Sequence, residues 1–168
     1  MPAADFPIPR RIQHIWVGPN PAPRRWMETW PARHPDWEYS VFDNEALAAR
    51  RFRTQALIDA YIDAGLFAGA ADLIRYELLY EKGGYQAGAD SICLRPIDPL
   101  FDETCAYTVY ENELLRGDTV APIVACEPGN AFVGALIDRL AQLTPADLRD
   151  PWRTTGNFFV TMMIQNLQ

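Results

Sequence analysis

The sequence predicts an α/β fold. Two observations carry the prediction. Segments of strand character and helix character alternate from residue 11 onward. A 14-residue stretch, GAADLIRYELLYEK (69–82), has the apolar spacing of a helix and runs into Gly83-Gly84, a C-terminal cap signal.

The elements follow in chain order. Residues 1–10 are rich in proline and read as extended. Residues 11–17 (RIQHIWV) are rich in β-branched and aromatic types and read as a strand that stops at the turn Gly18-Pro19-Asn20-Pro21. Residues 24–33 read as a helix carrying Trp26 and Trp30 one turn apart. Residues 37–42 alternate as a second strand, and Asp43 or Asn44 then caps a helix to about residue 50. Residues 54–64 form a helix halted near Gly65, and the 69–82 helix follows. Residues 85–94 read as a strand, a tight bend and a strand. Residues 106–110 and 120–126 read as two more strands. Residues 131–143 are an amphipathic helix with Phe132, Leu136 and Leu140 on one face, and residues 157–166 a last helix. The apolar face of that helix (Phe158, Phe159, Met162, Met163) needs a partner, and a homodimer is the expectation.

Bulk properties exclude several functions. The 168 residues fit one domain, residues 1–168, of ordinary soluble composition, with 49% apolar and 22% charged residues. The net charge of −7 argues against nucleic acid as the main partner, because phosphate backbones are held by clustered Lys and Arg. Cys93, Cys105 and Cys126 form no CxxC pair, hence no zinc site and no disulfide framework. The opening MPAADFPIPRR lacks the apolar centre of a secretory leader, and no apolar run approaches the ~20 residues of a membrane span. The expected location is the cytoplasm.

Four residues stand out chemically. Asp72 and Arg75 lie three apart on the 69–82 helix and share a face; alone they read as a surface ion pair worth under ~1 kcal/mol. Asp90 follows Gly88, and a carboxylate there can hold Mg²⁺ or Mn²⁺ on a diphosphate, or simply shape a turn. Trp16, beside the Gly18-Pro19 turn, can stack on a flat base or fill a core.

The order of these pieces resembles a known family. Ile8-Pro9-Arg10-Arg11-Ile12, Ile15-Trp16-Val17-Gly18 and His34-Pro35-Asp36-Trp37 resemble the opening of the DXD sugar-binding glycosyltransferases, the family of the yeast-type mannosyltransferases. Ala70-Ala71-Asp72-Leu73-Ile74-Arg75-Tyr76 and Leu79-Tyr80-Glu81-Lys82-Gly83-Gly84 resemble its central helix. Residues 91–100 (SICLRPIDPL) resemble the strand after the DXD motif, and Thr155-Gly156 a later TG element. The likeness spans roughly residues 8–160 in order; the large clostridial glucosylating toxins resemble it more distantly.

The resemblance implies a GT-A fold, a Rossmann-like sandwich with a mixed, mainly parallel sheet and helices on both sides. It implies that Trp16 stacks on a nucleotide base and that the Val17 backbone meets that base. Asp72 then binds sugar hydroxyls, Arg75 contacts sugar or diphosphate, and Asp90 is a metal ligand for Mn²⁺ or Mg²⁺. The implied reaction is transfer of a hexosyl unit, with retention, from a UDP- or GDP-linked sugar to a hydroxyl acceptor such as a bacterial surface polysaccharide.

The chain departs from the pattern at several points. Gly88 stands where the first acid of DXD belongs, Gln86 where a tyrosine belongs, Ala71 where a serine belongs, and Gln13 in place of a strand histidine, with His14 next door. The family also continues past the TG element with a segment that carries a further metal ligand and covers the donor, and the expectation is that this chain lacks it. A short protein or fragment of reduced activity, an inactive nucleotide-sugar-binding module and an engineered change at Gly88 are the three accounts of these departures.

Overall fold

The computed structural model describes residues 7–101, 104–112, 114 and 119–166. Five strands form one sheet in the order β2-β1-β3-β5-β4. Strand β1 (Arg11–Ile15) is central to the parallel half, paired on one side with β2 (Glu38–Phe42) and on the other with β3 (Gly84–Gln86). Strands β4 (Ala106–Tyr107) and β5 (Ala125–Cys126) add the antiparallel half. The longest ladder is the parallel one between β1 and β2.

Helices cover both faces. Helices α4 (Gln55–Asp63), α5 (Phe67–Lys82), α6 (Ala131–Leu140) and α8 (Asn157–Gln165) share an aliphatic core that includes Leu57, Ile58, Leu73, Ile74, Leu136 and Val160. On the opposite face lies an aromatic cluster around Trp30, Trp37 and Phe101, which also takes in Ile12 of β1. The helix expected at 24–33 is two short ones, α1 (Arg24–Met27) and α2 (Thr29–Arg33). Pro31 has no N–H to continue the ladder, so the helix restarts with Pro31 in its first turn. The break separates the two tryptophans: Trp30 is buried and Trp26 exposed.

Capping follows local chemistry. Asp43 accepts from the Ala46 N–H at the head of α3 (Asn44–Ala48). At the head of α4, Thr54 makes no side-chain cap, and the buried Glu77 of α5 supplies it. Its carboxylate accepts from the Arg53 N–H, the Thr54 N–H and the Thr54 hydroxyl at 2.9, 2.8 and 2.7 Å. That arrangement fastens α4 to α5 and answers donors a helix start leaves open.

Residues 85–94 contain one strand, β3, where two were expected, and the family-like 91–100 segment is not a strand. The backbone of 91–97 finds its partners on α2 and on His34, the residue that ends it. Trp30 Nε1 donates to the Ser91 carbonyl, Arg33 Nε to the Cys93 carbonyl, the Cys93 N–H to Thr29 Oγ1, and the Ile97 N–H to His34 Nε2. A segment so satisfied gains nothing from a ladder. One further helix, α7 (Pro151–Thr154), precedes α8. In α8 the expected apolar face is divided: Phe159 and Met163 pack on the core, Phe158 stacks on Trp152 at 5.4 Å, and only Phe158 and Met162 stay exposed.

Candidate active site

The chain passes from β1 to β2 on one side and then to β3 on the other. The C-terminal ends of β1 and β3 therefore form a topological switch point, where open α/β sheets bind ligands. A cleft of about 340 Å³ opens there. Its walls are residues 15–20 after β1, the first half of α5, and residues 86–90 after β3. Trp16, Val17, Asp72, Arg75 and Asp90 all line it.

The wall after β1 is tightly held. The Trp16 N–H extends the ladder to the Phe42 carbonyl, and its indole Nε1 donates to the Asn20 carbonyl at 2.8 Å. Asn44 clasps Gly18 twice: its Oδ1 accepts from the Gly18 N–H at 2.9 Å and its Nδ2 donates to the Gly18 carbonyl at 2.8 Å. Gly18 has φ of 116°, and a Cβ there would lie 2.9 Å from the Phe67 ring, so this position requires glycine on two counts.

The α5 wall carries the charge. Asp72 and Arg75 are both mostly buried, with Oδ1 and NH1 3.8 Å apart. Burial pushes the Asp72 carboxyl up to about 6, against the opposing pull of Arg75 and a hydrogen bond from Thr155. Arg75 Nε is buried and has no hydrogen-bond partner among the described residues. Arg75 lines the cleft, and a guanidinium there suits an anionic ligand.

The wall after β3 is thinner. Asp90 is exposed, and Ser91 closes the turn by donating from its N–H and hydroxyl to the Gly88 carbonyl. Gly88 is not among the positive-φ glycines. A Cβ there would lie 3.1 Å from Asp90 Oδ1 and 3.7 Å from Ser91 Oγ, so the position has a backbone that accepts a side chain and would bring two carboxylates side by side. Among the described residues no group of three His, Cys, Asp or Glu side chains could hold a metal ion. The donor set suits an ion bound with its nucleotide, since Mg²⁺ takes one or two protein carboxylates plus phosphate oxygens.

Two departures from the family pattern meet here. Gln13 and Gln86 are neighbours across β1 and β3, and Gln86, which lines the cleft, donates from Nε2 to Gln13 Oε1 at 2.7 Å in a buried pair. His14 points to the other face, between Trp30 and Tyr39, with both ring nitrogens unpartnered among the described residues.

The family model "Glycosyltransferase sugar-binding region containing DXD motif" matches residues 23–107. The chain belongs to this family. Its curated relatives include an initiation-specific α-1,6-mannosyltransferase of Saccharomyces cerevisiae, 32% identical over 106 residues. That match covers 56% of this chain and 22% of the relative. An inositol phosphoceramide mannosyltransferase 3 of Schizosaccharomyces pombe is 30% identical over 99 residues, 55% of this chain and 27% of the relative. The match thus spans about a quarter of each. The PaToxG glycosyltransferase structure superposes with a TM-score of 0.75 at 14% identity, covering 95% of this chain and 69% of that one. The likeness is one of fold.

Sequence reasoning missed Asn44 as a clasp, reading it only as a possible helix cap. With Asp43 supplying the cap, Asn44 is left free to reach Gly18. It also missed Phe67, Asn20 and the pairing of Gln13 with Gln86. Among the described residues no helix is long and apolar enough to cross a membrane.

Proposed function

We propose that residues 1–168 form a single GT-A domain that binds a nucleoside-diphosphate hexose, UDP- or GDP-linked, and transfers the hexosyl unit to a hydroxyl acceptor with retention. The observation that carries this reading is the Arg75–Asp72 pair in the wall of the same cleft as Trp16 and Asp90. In this reading the base lies on Trp16 and against the Val17 backbone. Arg75 takes the diphosphate or the sugar next to it, and Asp72 accepts from sugar hydroxyls. Asp90 holds a divalent ion on the diphosphate, where such an ion neutralises charge on the departing nucleotide. The acceptor is a glycan or similar alcohol. The three cysteines are free, which fits a reducing cytoplasm. The exposed Phe158 and Met162 are what supports a homodimer, a narrower strip than the whole α8 face.

A second reading is favoured by Gly88: a module that binds nucleotide sugar and does not transfer it. Thermal shift with UDP, GDP and their hexose conjugates, with and without Mn²⁺, separates the two. Transfer predicts a shift by the sugar conjugate that grows with Mn²⁺. A shift indifferent to metal supports the module, and no shift with any nucleotide overturns both.

A further inference from the structure

Against Asp72, and not among the residues that line the cleft, stands the Thr155-Gly156 pair at the end of α7. Thr155 is fully buried, and its hydroxyl lies 3.2 Å from Asp72 Oδ2 and 3.1 Å from the Pro151 carbonyl. Tyr76, one turn beyond Asp72 on α5, donates its hydroxyl to the Thr155 carbonyl. A Cβ on Gly156 would meet the Pro151 carbonyl and the Trp152 Cα at 3.1 Å and Asp72 Oδ2 at 3.3 Å. One residue of the pair therefore touches the carboxylate, and the other leaves room for that approach.

We infer that Thr155 is a positioning residue for Asp72: its hydroxyl holds Oδ2, which leaves Oδ1 on the Arg75 side to receive the sugar. The inference rests on the nucleotide-sugar reading for what Asp72 does, and on geometry alone for what Thr155 does. A single hydroxyl proton serves two acceptors. With Asp72 ionised, Thr155 donates to Oδ2. With Asp72 protonated, the carboxyl donates to Thr155 Oγ, and the Thr155 proton turns to the Pro151 carbonyl. The contact is therefore satisfied in both states, and it favours the ionised one, as the downward pull of Thr155 on the Asp72 carboxyl records. The other groups about Asp72 are Arg75 and Tyr76 on α5, Tyr61 on α4 with Asp150 behind it, and Asp90 across the cleft.

The test compares Thr155→Val, nearly isosteric but without the hydroxyl, with Thr155→Ser, which restores it. The main-chain bond from Tyr76 survives in both. Two readouts are taken: the Asp72 carboxyl titration by ¹³C NMR in the free protein, and calorimetric affinities for UDP, GDP and their hexose conjugates at pH 7.5. The expected result is an upward shift of the Asp72 midpoint in Thr155→Val and a return toward wild type in Thr155→Ser. The hexose conjugate loses about tenfold in affinity in the valine variant, the loss expected for a hydrogen bond to a charged group, while the bare diphosphate is unchanged. An unmoved midpoint in a folded Thr155→Val, or equal losses for conjugate and diphosphate, overturns the inference. A moved midpoint in a protein that binds no nucleotide overturns the functional reading and leaves the positioning role standing.

Discussion

The wall of the cleft after β1 and the wall after β3 are built with unequal redundancy. On the first, Trp16 is tied through its indole to Asn20, Gly18 is clasped at both backbone groups by Asn44, and Phe67 closes over Gly18. On the second, one exposed Asp90 stands beside a glycine whose backbone accepts a side chain. Fixed donors and rings reduce the ordering cost of binding, whereas a lone carboxylate leaves a divalent ion to find its other oxygens from nucleotide and water. On the proposed function, the difference teaches that the wall for the base is preorganised and the wall for the metal is not.

The largest effect that would break this comparison is loss of the ring. Trp16→Ala removes the stacking surface, and nucleotide affinity by calorimetry should fall on the order of tenfold to a hundredfold, from the ~1–3 kcal/mol of base–aromatic stacking. Asp90→Ala, measured without metal, should fall only a few-fold. Comparable losses would mean the two walls contribute alike.

A smaller effect is expected at the clasp. Asn44→Ala leaves the Gly18 N–H and carbonyl to water and costs about 1 kcal/mol per lost hydrogen bond. Nucleotide affinity should drop about tenfold, and thermal stability should fall only by those two bonds because Asp43 still caps α3. Gly18→Ala should cost more in stability, since it meets both a positive φ and the Phe67 ring. An Asn44→Ala protein that binds nucleotide like wild type would show that the loop needs no clasp.

Smaller still are the effects of pH, and two buried groups give them opposite signs. The Asp72 carboxyl is raised from 3.8 to about 6 in the folded chain. The native state therefore holds its proton where the unfolded chain has released it. This contribution makes the protein less stable as pH rises from about 4 to 6. The ionised form that the proposed sugar contact needs prevails only above about 6, so affinity for the sugar conjugate should fade as pH drops through 6. His14 is lowered from 6.5 to about 4 by burial, so the unfolded chain takes up the proton first and stability falls as pH drops below about 6.5. His14→Phe removes two unpartnered nitrogens and that protonation. Its Tm should exceed that of wild type by most near pH 4, and the gap should narrow toward pH 8. A gap independent of pH would contradict the assignment.

Much of the fold was legible because its signals are local. The 3.6-residue spacing of Leu73, Ile74, Tyr76 and Leu78, with Gly83 at φ of 63°, marks α5 and its end. Strand β1 was equally plain from its β-branched and aromatic residues, and it places Ile12 on the aromatic side and Ile15 toward the α5 side. What was illegible depended on partners distant in sequence. Residues 91–97 lie outside the sheet because side chains about sixty positions earlier satisfy their backbone. The helix spacing put Asp72 and Arg75 on one face, but could not show that both are mostly buried at a cleft, which removes the bland reading of an exposed ion pair. Trp16, Asp72, Arg75 and Asp90 were found by order and resemblance. Asn44 and the hold of Thr155 on Asp72 were invisible, because each acts through a contact that only the folded chain creates.

Calorimetric titration of a UDP- or GDP-hexose into wild type, Gly88→Asp and Asp90→Ala, with and without Mn²⁺, tests the unequal walls most directly. The absence of positive φ at Gly88 removes the backbone cost of an aspartate, and Asp90 has only to turn its exposed carboxylate aside. The expected result is binding by wild type without metal, tightened a few-fold by Mn²⁺. The Mn²⁺ gain should rise about tenfold further in Gly88→Asp, where two carboxylates share the ion, and vanish in Asp90→Ala. Wild-type binding that requires Mn²⁺ outright, or a Mn²⁺ gain equal in all three proteins, would contradict it.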